Sequence, residues 1–327
     1  MTNPANPRPP AVDSPSTPSV QILTIGEDRD GQRLDNFLFN TLKGVPKTHV
    51  YRLLRTGQVR INGKRCKPDT RVATGDLVRV PPVRVPEPRD PGQAPERLLR
   101  EVPSWIVFED RHYLVFNKPT GIAAHGGSGI SFGAIELLRQ ARPDEAFELV
   151  HRLDRDTSGV LVFAKRRPAL TQLQTEIREN RTRKRYLALL AGRLPKDKMY
   201  VDAALAKNVL QGGERMVTID DDGKPSRSTF KVIERLRDAT YVEVIIETGR
   251  THQIRVHAQH LGHPVLGDDK YGEDAANRAA KSVYGLKRLF LHATEFGFSA
   301  GEPRRDYLFH APLAPELETV LAAWPRS

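Results

Sequence analysis

The stretch ELVHRLDRDTSGVLVFAK, Glu148 to Lys165, is the one around which the rest of the chain makes sense. It opens on the apolar pair Leu149 and Val150 and passes through a charged knot of His151, Arg152, Asp154, Arg155 and Asp156. Thr157-Ser158-Gly159 follows, and then a β-rich run, Val160-Leu161-Val162-Phe163-Ala164. Strand, tight polar loop, strand is a layout that presents one carboxylate from a rigid scaffold. The same residues also fit a solvated loop whose exposed ion pairs contribute almost nothing. No spacing rule ties this order of residues to one chemistry, so the remainder of the chain has to decide.

A chain of 327 residues is long for one domain and suits two. A hydrophobic content of 39% with interspersed charge supports a true core and excludes wholesale disorder. Lys and Arg number 51 against 40 Asp and Glu, a net charge of +11, and the pI is near 9.8. That excess points to a polyanion, either nucleic acid or an acidic membrane surface. No apolar run approaches the roughly 18 residues of a membrane span, and the start MTNPANPRPPAVDSPSTPS lacks a signal peptide's charged-then-apolar pattern. A single cysteine, Cys66, forbids an internal disulfide and fits a reducing compartment, so a cytoplasmic protein is expected.

Four segments follow from composition. Residues 1–20 are mostly Pro, Ser, Asn, Thr and Ala and read as a disordered tail. Residues 21–82 read as a small α/β domain: a short strand, an amphipathic helix with Leu34, Phe37, Leu38 and Leu42 on one face, and a second helix from Thr48 stopping at Gly57. Strand-like Val59-Arg60-Ile61 then turns at Asn62-Gly63 toward Asp76–Val80. Between Pro46 and Pro82 nine Lys and Arg face only Asp69 and Asp76, a net +7 that favours a phosphate-contacting surface including Arg52, Arg55 and Arg60. Residues 83–97 are a proline-dense, semi-rigid linker. Residues 98–324 are rich in strands at Trp105–Phe108, Tyr113–Phe116, Val160–Phe163, Tyr186–Leu190, Thr229–Ile233, Tyr241–Ile246 and Arg288–Leu291, with helices at Gly133–Gln140 and Ala169–Arg178. The predicted class is α+β, with a largely antiparallel mixed sheet. No internal repeat, Walker loop or dinucleotide fingerprint is present.

Three further clusters carry potential chemistry. Asn117–Gly121 with His125–Gly129 is dense enough in glycine for backbone amides to approach an anion, although a plain loop fits as well. Thr182–Tyr186 joins a basic run to an aromatic at the start of a strand, as base stacking with phosphate contacts from the arginines would require. Glu247–His257 concentrates Arg250, His252, Arg255 and His257, which also fit a solvated basic strand. Of the late histidines, only His257 with His260, or His260 with His263, have the three-residue step of a shared helical face. With no cysteine nearby and arginines beside them, a metal is not expected. The arginines make better sense as partners that hold a lone carboxylate ionised.

In combination, HRLDRDTSGVLVFAK, NKPTG, RKRYLALLAG and GRTHQIRVHAQHLGHPVLGD resemble the RNA pseudouridine synthases that modify ribosomal RNA. Arg33-Leu34-Asp35, Val50–Leu54 and Gly57–Gly63 resemble the small RNA-binding domain of the S-four type. The resemblance runs from about Arg33 to Pro312. It implies an isomerase that breaks the bond from uracil nitrogen-1 to ribose, turns the base and rejoins it through carbon-5. The substrate implied is 23S ribosomal RNA, free or in an assembling large subunit, and the expected enzyme is a monomer needing neither cofactor nor metal.

The resemblance assigns the chemistry to Asp154. Its carboxylate adds to the sugar carbon or to the uracil ring, or assists glycal formation, and the motif leaves these routes open. Arg255 is expected to pair with Asp154, Tyr186 to pack on the uracil, and Ile254 to line the pocket. Arg152 would fill the space that the flipped base vacates. His151 and Arg155 are expected as hydrogen-bond donors that build the loop. Three other readings fit parts of the chain: a non-catalytic RNA-binding assembly factor, a synthase acting on transfer RNA, and a metal-dependent hydrolase built on the late histidines. A pure RNA binder has no use for a carboxylate where a phosphate must sit.

Overall fold

The computed structural model describes residues 19–42, 45–83, 93–127, 131–209, 215–301 and 303–326. Residues 1–18 of the expected tail, residues 84–92 of the linker and Ser128-Gly129 of the glycine-dense loop lie outside the described residues. The chain divides into two compact units, Met1–Asp90 and Pro91–Ser327.

The first unit runs β1 (Gln21–Thr24), α1 (Leu34–Thr41), α2 (Lys47–Arg55), β2 (Arg60–Ile61), β3 (Lys64–Arg65) and β4 (Leu77–Val80). Its sheet has the order β1-β4-β2-β3. The apolar spacing of α1 and α2 turns Leu34, Phe37, Leu38, Val50, Leu53 and Leu54 onto one core with Val59, Val78 and Val80. Gly57, at φ +70°, ends α2 in the left-handed conformation that a β-carbon disfavours. Asn62 and Gly63 both take positive φ, as a tight two-residue hairpin requires. Arg33 clamps the buried Asp35 with two hydrogen bonds of 3.1 and 2.7 Å. Arg52, Arg55 and Arg60 are all exposed on this unit.

The second unit begins earlier than the linker was expected to end, because Ala94 is already buried in its core and α3 covers Glu96–Glu101. It continues β5 (Ile106–Glu109), β6 (Tyr113–Lys118), α4 (Ala134–Ala141), β7 (Glu148–Leu149), β8 (Ser158–Ala164), α5 (Arg167–Arg178) and β9 (Arg183–Ala191). Then come β10 (Lys198–Asp202), β11 (Leu205–Val209), β12 (Arg215–Ile219), β13 (Arg227–Arg235), β14 (Ala239–Ile246), α6 (Gln253–His260), α7 (Asp274–Tyr284), β15 (Leu291–Ala300), β16 (Arg305–His310) and α8 (Pro315–Ala323). A ten-stranded sheet has the path β10-β13-β14-β9-β15-β8-β6-β5, with β16 on β15 and β7 on β8. The pairings are antiparallel except that β8 and β15 run parallel. The mixed, mostly antiparallel α+β class is therefore the observed one.

Strand β8 is the middle of this half, and all seven of its residues are buried. Period-two alternation sends Leu161 and Phe163, with Leu114 and Phe116 of β6, against the residues of α4. Val160 and Val162, with Tyr113 and Val115, face α5 and the aromatics of β15 and β16. Two segments differ from the sequence expectation. The strand expected at Arg288–Leu291 starts only at Leu291, because the Arg288 guanidinium turns aside to Glu316 and Ser158. Of the basic segment Glu247–His257, for which a solvated strand was one of the two readings, Gln253–His257 instead begin helix α6, six of whose eight residues are buried.

Candidate active site

Asp154 sits in the loop between β7 and β8, and three braces fix that loop. Lys118, fully buried at the end of β6, donates from Nζ to the carbonyls of Pro119, Ile122 and Arg155 at 2.8, 2.7 and 3.2 Å. Burial pushes its pKa down to about 7, while three acceptors match the three donors of the ammonium form. Thr120 donates its hydroxyl to Asp156 O, and the Gly121 amide donates to Arg155 O. The NKPTG segment is thus a clamp on the Asp154 loop rather than an anion cradle. At the exit of the loop Gly159 adopts φ +111°, where a β-carbon would lie 2.1 Å from the Ala293 carbonyl oxygen. Only glycine lets the parallel pairing of Ser158 and Gly159 with His292 and Ala293 close this tightly. The Ser158 hydroxyl and His292 Nδ1, both buried, bond at 2.8 Å across the same pair.

His151 plays a different part from the expected donor. Its Nε2 accepts the Val162 amide at 3.2 Å and its ring stacks on Phe296 with centroids 4.7 Å apart, so it is held as a neutral imidazole with a pKa of about 4 by burial. Arg155 serves the loop through its carbonyl, while its side chain pairs with neighbouring Asp156.

Asp154 faces a narrow cavity of about 70 Å³ whose walls include Arg152, Tyr186, Ile254 and Arg255. The β7–β8 loop, β9 and α6 supply these, and the turn after β14 adds Gly249 and Arg250. Gln253 builds that turn. Its Oε1 accepts from the Thr248 hydroxyl and the Arg250 amide, and its Nε2 donates to Arg227 O and the Ser228 hydroxyl. His252 precedes α6 at φ +54°, a left-handed position uncommon for a non-glycine residue. From there its Nε2 lies 3.9 Å from Asp154 while Nδ1 meets the Tyr271 hydroxyl at 2.8 Å. Burial holds this imidazole below its ordinary pKa although Asp154 pulls the other way.

Arg255 has a closer partner than the expected Asp154. Its Nε and Nη2 make 2.6 Å bonds to the two oxygens of Asp268, whereas Asp154 is 4.0 Å from Nη1. Its guanidinium also lies over the Tyr271 ring, 5.0 Å from the centroid. Asp154 therefore has an adjacent cation whose orientation is set by Asp268, a buried carboxylate that further accepts the Lys270 and Tyr271 amides. Asp268 falls in the GHPVLGD segment but received no role from sequence. An unassigned acid thirteen residues after the arginine was the available signal.

Tyr186 lies on β9 between Val244 of β14 and Ala293 of β15. Burial, reinforced by Asp154, pushes its phenol well above the ordinary value, so the ring is a neutral wall of the pocket. The arginines flanking it do not offer free charge to a phosphate. Arg183 pairs with Glu295 at 2.5 Å and Arg185 with Glu243 at 3.0 Å, because alternate strand positions point away from Tyr186. Arg152 lines the cavity and is exposed. Two of the late histidines are engaged within the protein, and His260 is exposed. His257 bonds Ser228 Oγ and Ala203 O, and His263 bonds Ala191 O. No helix among the described residues is long and apolar enough to cross a membrane.

The arrangement offers a carboxylate backed by a fixed cation, an aromatic wall and an aliphatic wall, which suits covalent or electrostatic work on a planar ring. Comparison with known proteins agrees. Residues 112–260 match the family described as RNA pseudouridylate synthase, and residues 32–78 match the S4 domain. The chain is 52% identical over 308 residues to ribosomal large subunit pseudouridine synthase C of Escherichia coli (strain K12), covering 93% of this chain and 97% of that one. It is 49% identical to the protein of the same name from Pasteurella multocida, covering 93% and 94%. Among solved structures, human RNA pseudouridylate synthase domain containing 1 aligns with TM-score 0.56 and 29% identity over 68% of this chain and 88% of that one. On the fold, the cavity around Asp154 and these matches together, the chain belongs to the RNA pseudouridine synthase family, enzymes that isomerise uridine within RNA.

Proposed function

We propose that this protein converts specific uridines of 23S ribosomal RNA to pseudouridine, with Asp154 as the catalytic group and the target base flipped out of its helix. The observation that carries the reading is the convergence of Asp154, Tyr186, Ile254, Arg255 and Arg152 on one cavity. The names of the relatives, ribosomal large subunit pseudouridine synthase C, supply the substrate class.

In this reading Asp154 attacks or stabilises the sugar or base as the bond from nitrogen-1 to the ribose breaks. The uracil turns between Tyr186 and Ile254, carbon-5 bonds to the ribose, and the proton lost from carbon-5 is balanced by one gained at nitrogen-1. Atoms and electrons balance within the nucleotide, so no co-reactant enters. Arg255 supplies positive potential to the carboxylate, and its fork to Asp268 keeps it from collapsing onto Asp154. The target uridine leaves its stack at a cost of a few kcal/mol, and exposed Arg152 fills the vacated space with a planar cation that stacks on bases and binds phosphate. Arg52, Arg55 and Arg60 add sequence-independent phosphate contacts from the first unit. Monomeric action in the cytoplasm completes the proposal.

Pseudouridine mapping of 23S RNA from cells with the protein, without it, and with Asp154→Ala tests the reading. Sites lost in both altered strains support it, and an unchanged map removes it.

A further inference from the structure

A groove of about 750 Å³ adjoins the Asp154 pocket and shares two of its walls, His252 and Arg255. Seven Lys and Arg line it against four Asp; the pairs Arg255–Asp268 and Arg155–Asp156 cancel, and Arg288 is held by Glu316 outside the lining, which leaves Lys270, Arg278, Lys281 and Lys287 against Asp269 and Asp274. We infer that this groove holds the sugar-phosphate backbone of the RNA strand flanking the target uridine, with Arg278, Lys281 and Lys287 as its phosphate ligands. The inference rests on the reading that RNA is the substrate and the Asp154 pocket receives the uridine.

Three observations carry it. Arg278 and Lys281 stand three residues apart on α7, hence side by side on one face, and Lys287 follows the left-handed Gly285 that ends the helix. All three are exposed, and none has an ion-pair or hydrogen-bond partner among the described residues. That state suits cations kept for a ligand rather than for the fold. The lining has cationic and small polar groups but, His252 apart, no aromatic ring, so it grips backbone charge and offers no platform for stacked bases. Continuity with the catalytic pocket selects substrate RNA over an unrelated acidic partner, because a uridine held at Asp154 leaves its neighbouring phosphates at the shared wall.

The test uses the full-length protein carrying Arg278→Gln, Lys281→Gln and Lys287→Gln together, and separately the three Glu replacements, assayed on a 23S RNA transcript over a salt series. All three positions are solvent-facing, and an unchanged melting temperature checks that the fold is kept. The Gln variant is expected to lose about 10- to 100-fold in kcat/KM at low salt, with kcat at saturating RNA retained. The slope of log kcat/KM against log salt should become shallower by about 0.7 for each phosphate that the variant no longer neutralises. The Glu variant should lose more. An unaltered kcat/KM with the wild-type salt slope overturns the inference, and so does a fall in kcat with the slope unchanged. Failure of the wild-type protein to make pseudouridine would instead sink the functional reading itself, so the two failures are distinguishable.

Discussion

Arg255 gives two 2.6 Å hydrogen bonds to Asp268 and keeps a 4.0 Å distance from Asp154. The guanidinium is thus anchored by one carboxylate and offered to another. A direct fork to Asp154 would occupy both oxygens of the carboxylate proposed as the catalytic group. The offset arrangement leaves Asp154, which lines the cavity, without a hydrogen-bonded fork while a cation stays beside it.

Asp268→Asn tests that division of labour. The substitution keeps an acceptor for the Lys270 and Tyr271 amides but leaves Arg255 buried beside a neutral group. Breaking a buried pair costs about 3–5 kcal/mol, and a displaced guanidinium should lower kcat on the order of 100-fold. Denaturant melts and single-turnover rates measure the two effects. A variant of wild-type stability and rate would show that Asp268 does not position Arg255.

Gly159 and Gly121 make a paired test of the loop. Both have positive φ, but a β-carbon at Gly159 meets Ala293 O at 2.1 Å, whereas at Gly121 nothing lies within 4 Å. Gly121→Ala should cost about 1–2 kcal/mol of left-handed strain alone. Gly159→Ala should cost about 3 kcal/mol or more, because overlap with the β15 backbone adds to the strain. Comparing their unfolding midpoints separates conformational strain from steric overlap.

Lys118→Met conserves volume but removes a donor from three partly buried carbonyls, of which only Arg155 O keeps another, the Gly121 amide. Unsatisfied acceptors cost about 1–3 kcal/mol, and the loosened Arg155 carbonyl should let the Asp154 loop drift. The expected signature is a reduced kcat with RNA affinity held, read from single-turnover kinetics and filter binding.

Two imidazoles, one buried and one half-buried, set a pH limit on stability. His292, wholly buried, and His151 are both held down to about 4, chiefly by burial, against an ordinary value of 6.5. Between these values the unfolded chain binds more protons than the folded one, so protonation pulls toward unfolding. Their contribution is complete above pH 6.5 and declines as pH falls toward 4, at a rate on the order of 1.4 kcal/mol per pH unit for each fully titrating group. His292→Gln should flatten the slope of the unfolding free energy between pH 6.5 and 4. An unchanged slope would mean that His292 is protonated in the native state.

Most of the strands were legible because their apolar runs are long and the turns between them carry Gly, Asn or Asp. The helix at Gln253 was harder. It buries arginine, glutamine and histidine, so its polar sequence hides its buried position, and the sign of burial lies in partners such as Asp268 and Ser228. Arg183 and Arg185 looked like phosphate ligands next to Tyr186, but Glu243 and Glu295 come from β14 and β15 and cannot be paired with them without knowing the register. Lys118 likewise read as part of a loop, since its three acceptors are backbone carbonyls that no side-chain pattern announces. The cationic groove was invisible for the same reason: α7 and the Arg155 loop meet only in the folded chain.

Everything proposed for the chemistry depends on the carboxylate at the centre of the cavity. The most direct measurement is single-turnover release of tritium from a 23S RNA transcript labelled at uridine carbon-5, with wild-type protein and Asp154→Asn. Wild type is expected to release label stoichiometrically, and Asp154→Asn to release none above background while binding the RNA within a few-fold of wild type. Label released by the Asn variant at a rate near wild type would contradict the assignment of the chemistry to Asp154.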